Sequence, residues 1–242
     1  MTTKMPNRAK LFLGALIVAG LATGGYAVVG AHLAHSFQAV ALLVMAVIAS
    51  RLRLRLPGLT GNMSVNVPFI LIAMVQLSLA EALLIAMAST LAQCFPKSGK
   101  PKAAPLLFNV STAALAVGLG TGILRQIFTI AGAVIAPRAA ALPLAVGVFF
   151  LAQTVPVATI ISLTEGGKLA QIWSNIFHLS FPYYVLSAGV TSIVTAASQH
   201  VGWQIPLLVL PVMYGVYRSY AVYFGRSVAD MSCQPMAKAA SA

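Results

Sequence analysis

The sequence predicts an all-α fold, a polytopic integral membrane helix bundle of about eight transmembrane helices with both termini cytoplasmic. Composition is the first reason. Of the 242 residues, 60% are hydrophobic and 7% charged, with a mean hydropathy of +0.92, whereas an ordinary soluble domain carries about 25% charge. Charge placement is the second. Arg51, Arg53 and Arg55 on one side, and Lys97, Lys100 and Lys102 on the other, bracket two apolar runs whose single charge is Glu81. That segment is long enough to cross a bilayer twice at roughly 20 residues per helix, so both clusters face one compartment. Short loops rich in Lys and Arg stay cytoplasmic during insertion. The third reason is consistency: of the 15 Lys and Arg, only Arg125 and Arg138 fall outside the cytoplasmic loops and ends that eight spans define, and seven spans would put the C-terminal arginines outside.

In a soluble chain the net charge of +12 would point to nucleic acid. Here topology and contact with anionic lipid account for it, so the expected partner is the lipid bilayer, with no nucleic acid. Cys94 and Cys233 both fall on the cytoplasmic side, which predicts no structural disulfide. No ligand spacing points to a metal, and no cofactor is expected.

The first apolar run, residues 11–29, follows Lys4, Arg8 and Lys10. It is longer than the 7–15-residue core of a signal peptide and reads as an uncleaved span. Gly20 and Gly24 form a GxxxG pair suited to close helix packing. His32 and His35 occupy an outer turn, as interfacial groups or as a shared ligand or proton site. A second span, 36–50, returns to the arginines. Pro57, Gly58 and Gly61 then mark a loop leading to a third span, 62–79, capped by Asn62 or Ser64. The alternative there is a broken or re-entrant entry exposing backbone to a cavity. Gln76 is the one strong hydrogen-bonding side chain of this span. Ser78 to Glu81 has capping-box spacing, so Glu81 is a helix cap or, as the acidic group on the outer side, a ligand contact. A fourth span, 82–95, runs back in.

The fifth span, 106–124, holds Asn109 and a second packing pair, Gly118 and Gly122. Residues 125–140 are too short an apolar piece to span alone; they extend the fifth helix, lie along the outer interface or re-enter. The sixth span, 141–163, places Gln153 near mid-membrane, and Pro156 frees a backbone carbonyl beside it. The seventh, 172–196, is the most polar, with Asn175, His178 and Pro182 on one face and Tyr184 beyond. An intramembrane histidine either packs or functions. After an outer turn at 198–203, the last span, 204–224, ends in Tyr214, Tyr217, Tyr220 and Tyr223 with Arg218 and Arg226, an aromatic belt and cytoplasmic anchor. One membrane domain thus covers 1–226, and the cytoplasmic tail 227–242 is too short to fold and is expected to be disordered.

The stretches RLPGLTGNMSVNVPFILIAMVQLSLAEALLIA, LFNVSTAALAV and LPVMYGVYRSYAVYFGR resemble the membrane domain called the vitamin-uptake-like sensor domain, with similarity over roughly 36–226. The resemblance implies a multi-pass module of the bacterial plasma (inner) membrane. In that family the module precedes a cytoplasmic HD-GYP phosphodiesterase or GGDEF cyclase and is distantly similar to the S subunits of energy-coupling-factor vitamin transporters. Those relatives run on into an output domain where this sequence stops, so the expectation is a small-molecule sensor that signals through a separate cytoplasmic partner, or a truncated relative of a longer signalling protein. The alternative is the substrate-binding subunit of a vitamin-type uptake transporter, working with a transport ATPase module. In either case an apolar or vitamin-like ligand would be contacted by Gln76, Glu81, Gln153, His178 and Tyr184. An intramembrane enzyme would need clustered acids and histidines within the spans, whereas His178 stands alone there; no catalytic residue and no enzyme activity are expected.

Overall fold

The computed structural model describes residues 6–29, 36–55, 62–95, 103–131, 135–202, 204–219 and 222. Among them are eight helices and one small ribbon: α1 (Asn7–Val29), α2 (Ser36–Ser50), the strands β1 (Arg53–Arg55) and β2 (Asn62–Ser64), α3 (Val67–Gln76), α4 (Leu79–Cys94), α5 (Ala103–Ala131), α6 (Ile135–Glu165), α7 (Leu169–Val201) and α8 (Ile205–Ser219), which opens with a 3-10 turn. Four helices, α1, α5, α6 and α7, are long and apolar enough to cross a membrane unaided. The chain is a helical membrane bundle, as its composition requires.

The helices alternate in direction. Side-chain bonds pair the start of α2 with the end of α3, and the start of α3 with the third turn of α4, so α3 runs opposite to both. Gly20 lies against Ser111, and Gly118, further along α5, against Thr23, so α1 and α5 run parallel. One end of the bundle carries the exposed cations Arg8, Lys10, Arg51, Lys168 and Arg218, while the exposed Arg125 lies toward the other. The charge bias predicts that the first end is the cytoplasmic one.

α3 differs most from its expected form. With ten residues it is roughly 15 Å long, about half the hydrocarbon thickness of a bilayer, and every residue from Val67 to Met74 is buried. It lies enclosed by α2, α4, α5 and α7. Its apolar, β-branched composition suits it to a site with no solvent-facing side, and Pro68 occupies a first-turn position where no backbone donor is missed. The chain reaches it through β1 and β2, antiparallel with Arg53 opposite Ser64, Leu54 opposite Met63 and Arg55 opposite Asn62. Asn62 and Ser64 therefore belong to a strand that ends before the third helix begins. The third helix begins after Asn66, which makes no side-chain cap bond and instead donates from Nδ2 to Ser89 Oγ at 3.0 Å.

Of the three options for 125–140, helix extension holds: α5 continues to Ala131 and α6 starts at Ile135. The packing glycines divide. A Cβ at Gly20 would sit 3.0 Å from Ser111 Cα, and one at Gly118 would run into Thr23, but Gly24 and Gly122 have nothing within 4 Å. Gly120, on the adjacent face of α5, is the other tight position, held against Met74, Ala145 and Phe149. Lys4, His32, His35, the turn 56–61, Lys97, Lys100, Lys102, Tyr220, Tyr223, Arg226, Cys233 and the tail 227–242 lie outside the described residues.

Candidate functional site

At the outer end the broken connection between α3 and α4 creates a polar node. Ser78 is an N-cap in extended conformation, and the full capping box is present. The Ser78 backbone N–H and Oγ–H both donate to Glu81 Oε2, at 2.9 and 2.7 Å, and Glu81 N–H donates back to Ser78 Oγ at 3.3 Å. Glu81 is only 2% exposed, so its carboxylate serves the start of α4 rather than the outer surface. Ser78→Ala is expected to cost about 1 kcal/mol of helix-start stability, read as an earlier unfolding midpoint in a detergent titration, and Ser78→Thr, which keeps the hydroxyl that donates to Glu81, to restore most of it.

One turn earlier, Gln38 Nε2 on α2 donates to Gln76 Oε1 on α3 at 2.6 Å, and Gln76 Nε2 donates to Ser198 Oγ on α7 at 3.4 Å. Ser198 in turn donates to the Val194 carbonyl at 2.7 Å. Three helices are thus tied at one point by neutral amides and a hydroxyl. All three side chains are half-buried, which separates this node from the sealed Asn66–Ser89 pair at the other end of α3. Hydrogen bonds between membrane helices contribute only about 0.6 kcal/mol on average, so the node can be exchanged for another partner at low cost.

A second cluster lies between α6 and α7. Phe150 is surrounded edge-on by Phe177, Phe181 and Tyr184, with ring centroids 5.6, 5.9 and 4.9 Å away. Phe149 and Tyr183 also flank Tyr184. Trp173 Nε1 donates to Thr154 Oγ1 at 3.3 Å, and Thr154 donates to the Phe150 carbonyl. Gln153 is half-buried one position before Thr154. His178 stands on the outside of the bundle, its Nδ1 2.7 Å from the Ser174 carbonyl, and Asn175 and Pro182 on the same face are exposed with it.

The five candidate contacts therefore fall into separate places. Gln76 and Glu81 are close in the chain at the outer end. Tyr184 lies 14 residues before Ser198 on α7, roughly 21 Å down the helix, and His178 roughly 30 Å down. A vitamin-sized molecule touching Gln76 does not reach either. Gln38 carries no signal in the sequence beyond a lone amide in an apolar run, and Ser198 none beyond its place in the outer turn.

Among the described residues no group of three or more His, Cys, Asp and Glu is placed to hold a metal ion. No curated protein and no solved structure matches the chain. A family description does match, over residues 10–224, which runs from the first turn of α1 past the end of α8. An outer polar node, a sealed central helix and a basic inner end are thus features of a chain that belongs to MASE9, a family of membrane-associated sensor domains.

Proposed function

We propose that this chain is an outward-reading sensor module of the bacterial plasma membrane, in which a small apolar or vitamin-like molecule enters the node formed by Gln38, Gln76 and Ser198. The observation that carries the reading is the half-burial of these three side chains where α2, α3 and α7 are tied together. A ligand that takes over the Gln76 amide releases α3 from one neighbour and holds it to another. α3 is short, buried and joined directly to the inner ribbon, so a shift at its outer end is delivered to the cytoplasmic end. Such a ligand acts by favouring one of two helix arrangements over the other, and a separate cytoplasmic partner reads the difference. Glu81 supports the node by fixing the start of α4; Gln153, His178 and Tyr184 belong to the α6–α7 interface and its outer face. No catalytic step enters this reading.

The test is native mass spectrometry of the detergent-purified protein against a panel of vitamins and lipids. A retained molecule is expected, and Gln76→Ala should weaken its retention about tenfold, the loss of one hydrogen bond of about 1.4 kcal/mol. Unchanged retention in Gln38→Ala, Gln76→Ala and Ser198→Ala alike would remove the node as the site. Gly24 and Gly122, with no neighbour within 4 Å, leave small-residue surface for a docking partner. Uptake of the retained molecule into sealed vesicles, only with an added ATPase module, would make the chain a transport subunit instead.

A further inference from the structure

The outward side of α7 is unlike that of α2. On α2 the exposed row is Phe37, Val40, Val44 and Ile48, wholly apolar. On α7 the exposed row runs from Asn175 through His178, Pro182, Val185, Gly189 and Ser192 to Ala196, at alternating steps of three and four residues. Such a row repeats every 3.5 residues, the period of the seam between two supercoiled helices. All of its members except Pro182 and Val185 are small or polar, where contact with lipid tails suits large apolar side chains. The helix has 33 residues and is roughly 50 Å long, against a hydrocarbon layer of about 30 Å. With the excess shared between its ends, Asn175 meets the inner edge of that layer and His178 lies about one turn inside it. A polar side chain facing lipid there is costly.

His178 fixes the hydrogen-bonding sense of this row. A carbonyl only accepts, so the 2.7 Å contact with the Ser174 carbonyl places a proton on Nδ1 and leaves Nε2 of the neutral ring an acceptor. Asn175, one turn nearer the inner end on the same row, offers the Nδ2 donors. We propose that this row of α7 is a two-fold interface with a second copy of this chain, in which Asn175 of each subunit donates to His178 Nε2 of the other. The identity of the occupant follows from depth. A second copy crosses the membrane in the same direction, so a two-fold axis along the membrane normal brings the same residues together at the same level. Donor and acceptor one turn apart on one subunit then meet acceptor and donor on the other. Toward the outer end, Gly189, with nothing within 4 Å of its Cβ position, and Ala196 let the two backbones approach closely. Ser192 between them keeps its hydroxyl proton on its own helix, donating to the Ala188 carbonyl at 3.0 Å. The exposed Phe181, Leu186 and Ile193 flank the row and supply the apolar border of the pair.

The experiment uses the full chain, labelled at its N-terminal amine and reconstituted in phosphatidylcholine vesicles, with single-molecule photobleaching steps counted as added lipid dilutes it. A dimer is expected. Asn175→Leu with His178→Leu removes the bonds between subunits and suits both positions to lipid, so association should weaken about tenfold. Gln126→Leu with Thr129→Leu makes the same kind of exchange at exposed positions of α5 and should leave it unchanged. Disulfide trapping in a Cys94→Ala, Cys233→Ala background locates the contact. Ser192→Cys should crosslink to its own copy, and Leu21→Cys, on the exposed side of α1, should not. A monomer at every dilution overturns the proposal, including the case in which this face receives a helix of another protein. So does a dimer that keeps its strength in the α7 double variant, or one that crosslinks through Leu21→Cys and not through Ser192→Cys. If the α7 double variant fails to insert, the two crosslinking variants decide the matter by themselves.

Discussion

Phe150→Ala is expected to destabilise the bundle by about 2–3 kcal/mol. In a soluble core the same truncation costs about 3–5 kcal/mol. Part of that is transfer out of water, a term that shrinks when the alternative environment is lipid tails as apolar as the core. The cavity and the lost ring contacts remain, and Phe150 has three edge-on aromatic partners while being 4% exposed. Unfolding by SDS in mixed micelles measures it. Phe128→Ala, on the exposed surface of α5, should stay within about 0.5 kcal/mol of wild type. A Phe150 variant as mild as the Phe128 control would mean that the α6–α7 interface is not a packed core.

Gly20→Leu is expected to cost about 1–3 kcal/mol by overpacking. The obstacle is backbone: any Cβ at 20 meets Ser111 Cα and Cβ at 3.0 Å and Ser111 O at 3.2 Å, so α1 must move away from α5 as a body. Gly20→Ala should already be destabilising. Gly24→Ala and Gly122→Ala, with open space at both positions, should be neutral or stabilising by up to about 1 kcal/mol, because alanine favours helix over glycine. The same SDS titration separates the four variants, and equal penalties at 20 and 24 would contradict the α1–α5 crossing described above.

The contrast between these glycines marks how far the sequence could be read. A GxxxG pair shows that a close approach is available on one face of a helix, but which of the two glycines touches depends on the crossing angle and the partner. Helix number, direction and the capping box at Ser78 and Glu81 were legible because hydropathy, charge bias and cap spacing are local signals. The ribbon had a local signal as well: arginine and leucine alternate with a period of two from Arg51 to Leu56 before a Pro-Gly turn, which is a strand pattern, but its charge drew attention to topology alone. Gln38 and Ser198 were not legible as a site, since Gln76 joins them across 38 and 122 positions of chain. His178 shows the opposite failure. A rare histidine in an apolar span signals that the residue matters, but not whether its face turns inward, and here it turns out.

The shortness of α3 bears on how the protein is made. A segment of about 15 Å does not hold itself in a membrane, so it enters the bilayer as one leg of a hairpin with α4. Its principal contacts, however, include α7, and the ribosome has roughly ninety more residues to add between the end of α3 and the start of α7. At about 5–20 residues per second, the central helix waits some seconds with one flank bare. Translation order thus gives the innermost element of the finished bundle its last neighbour late.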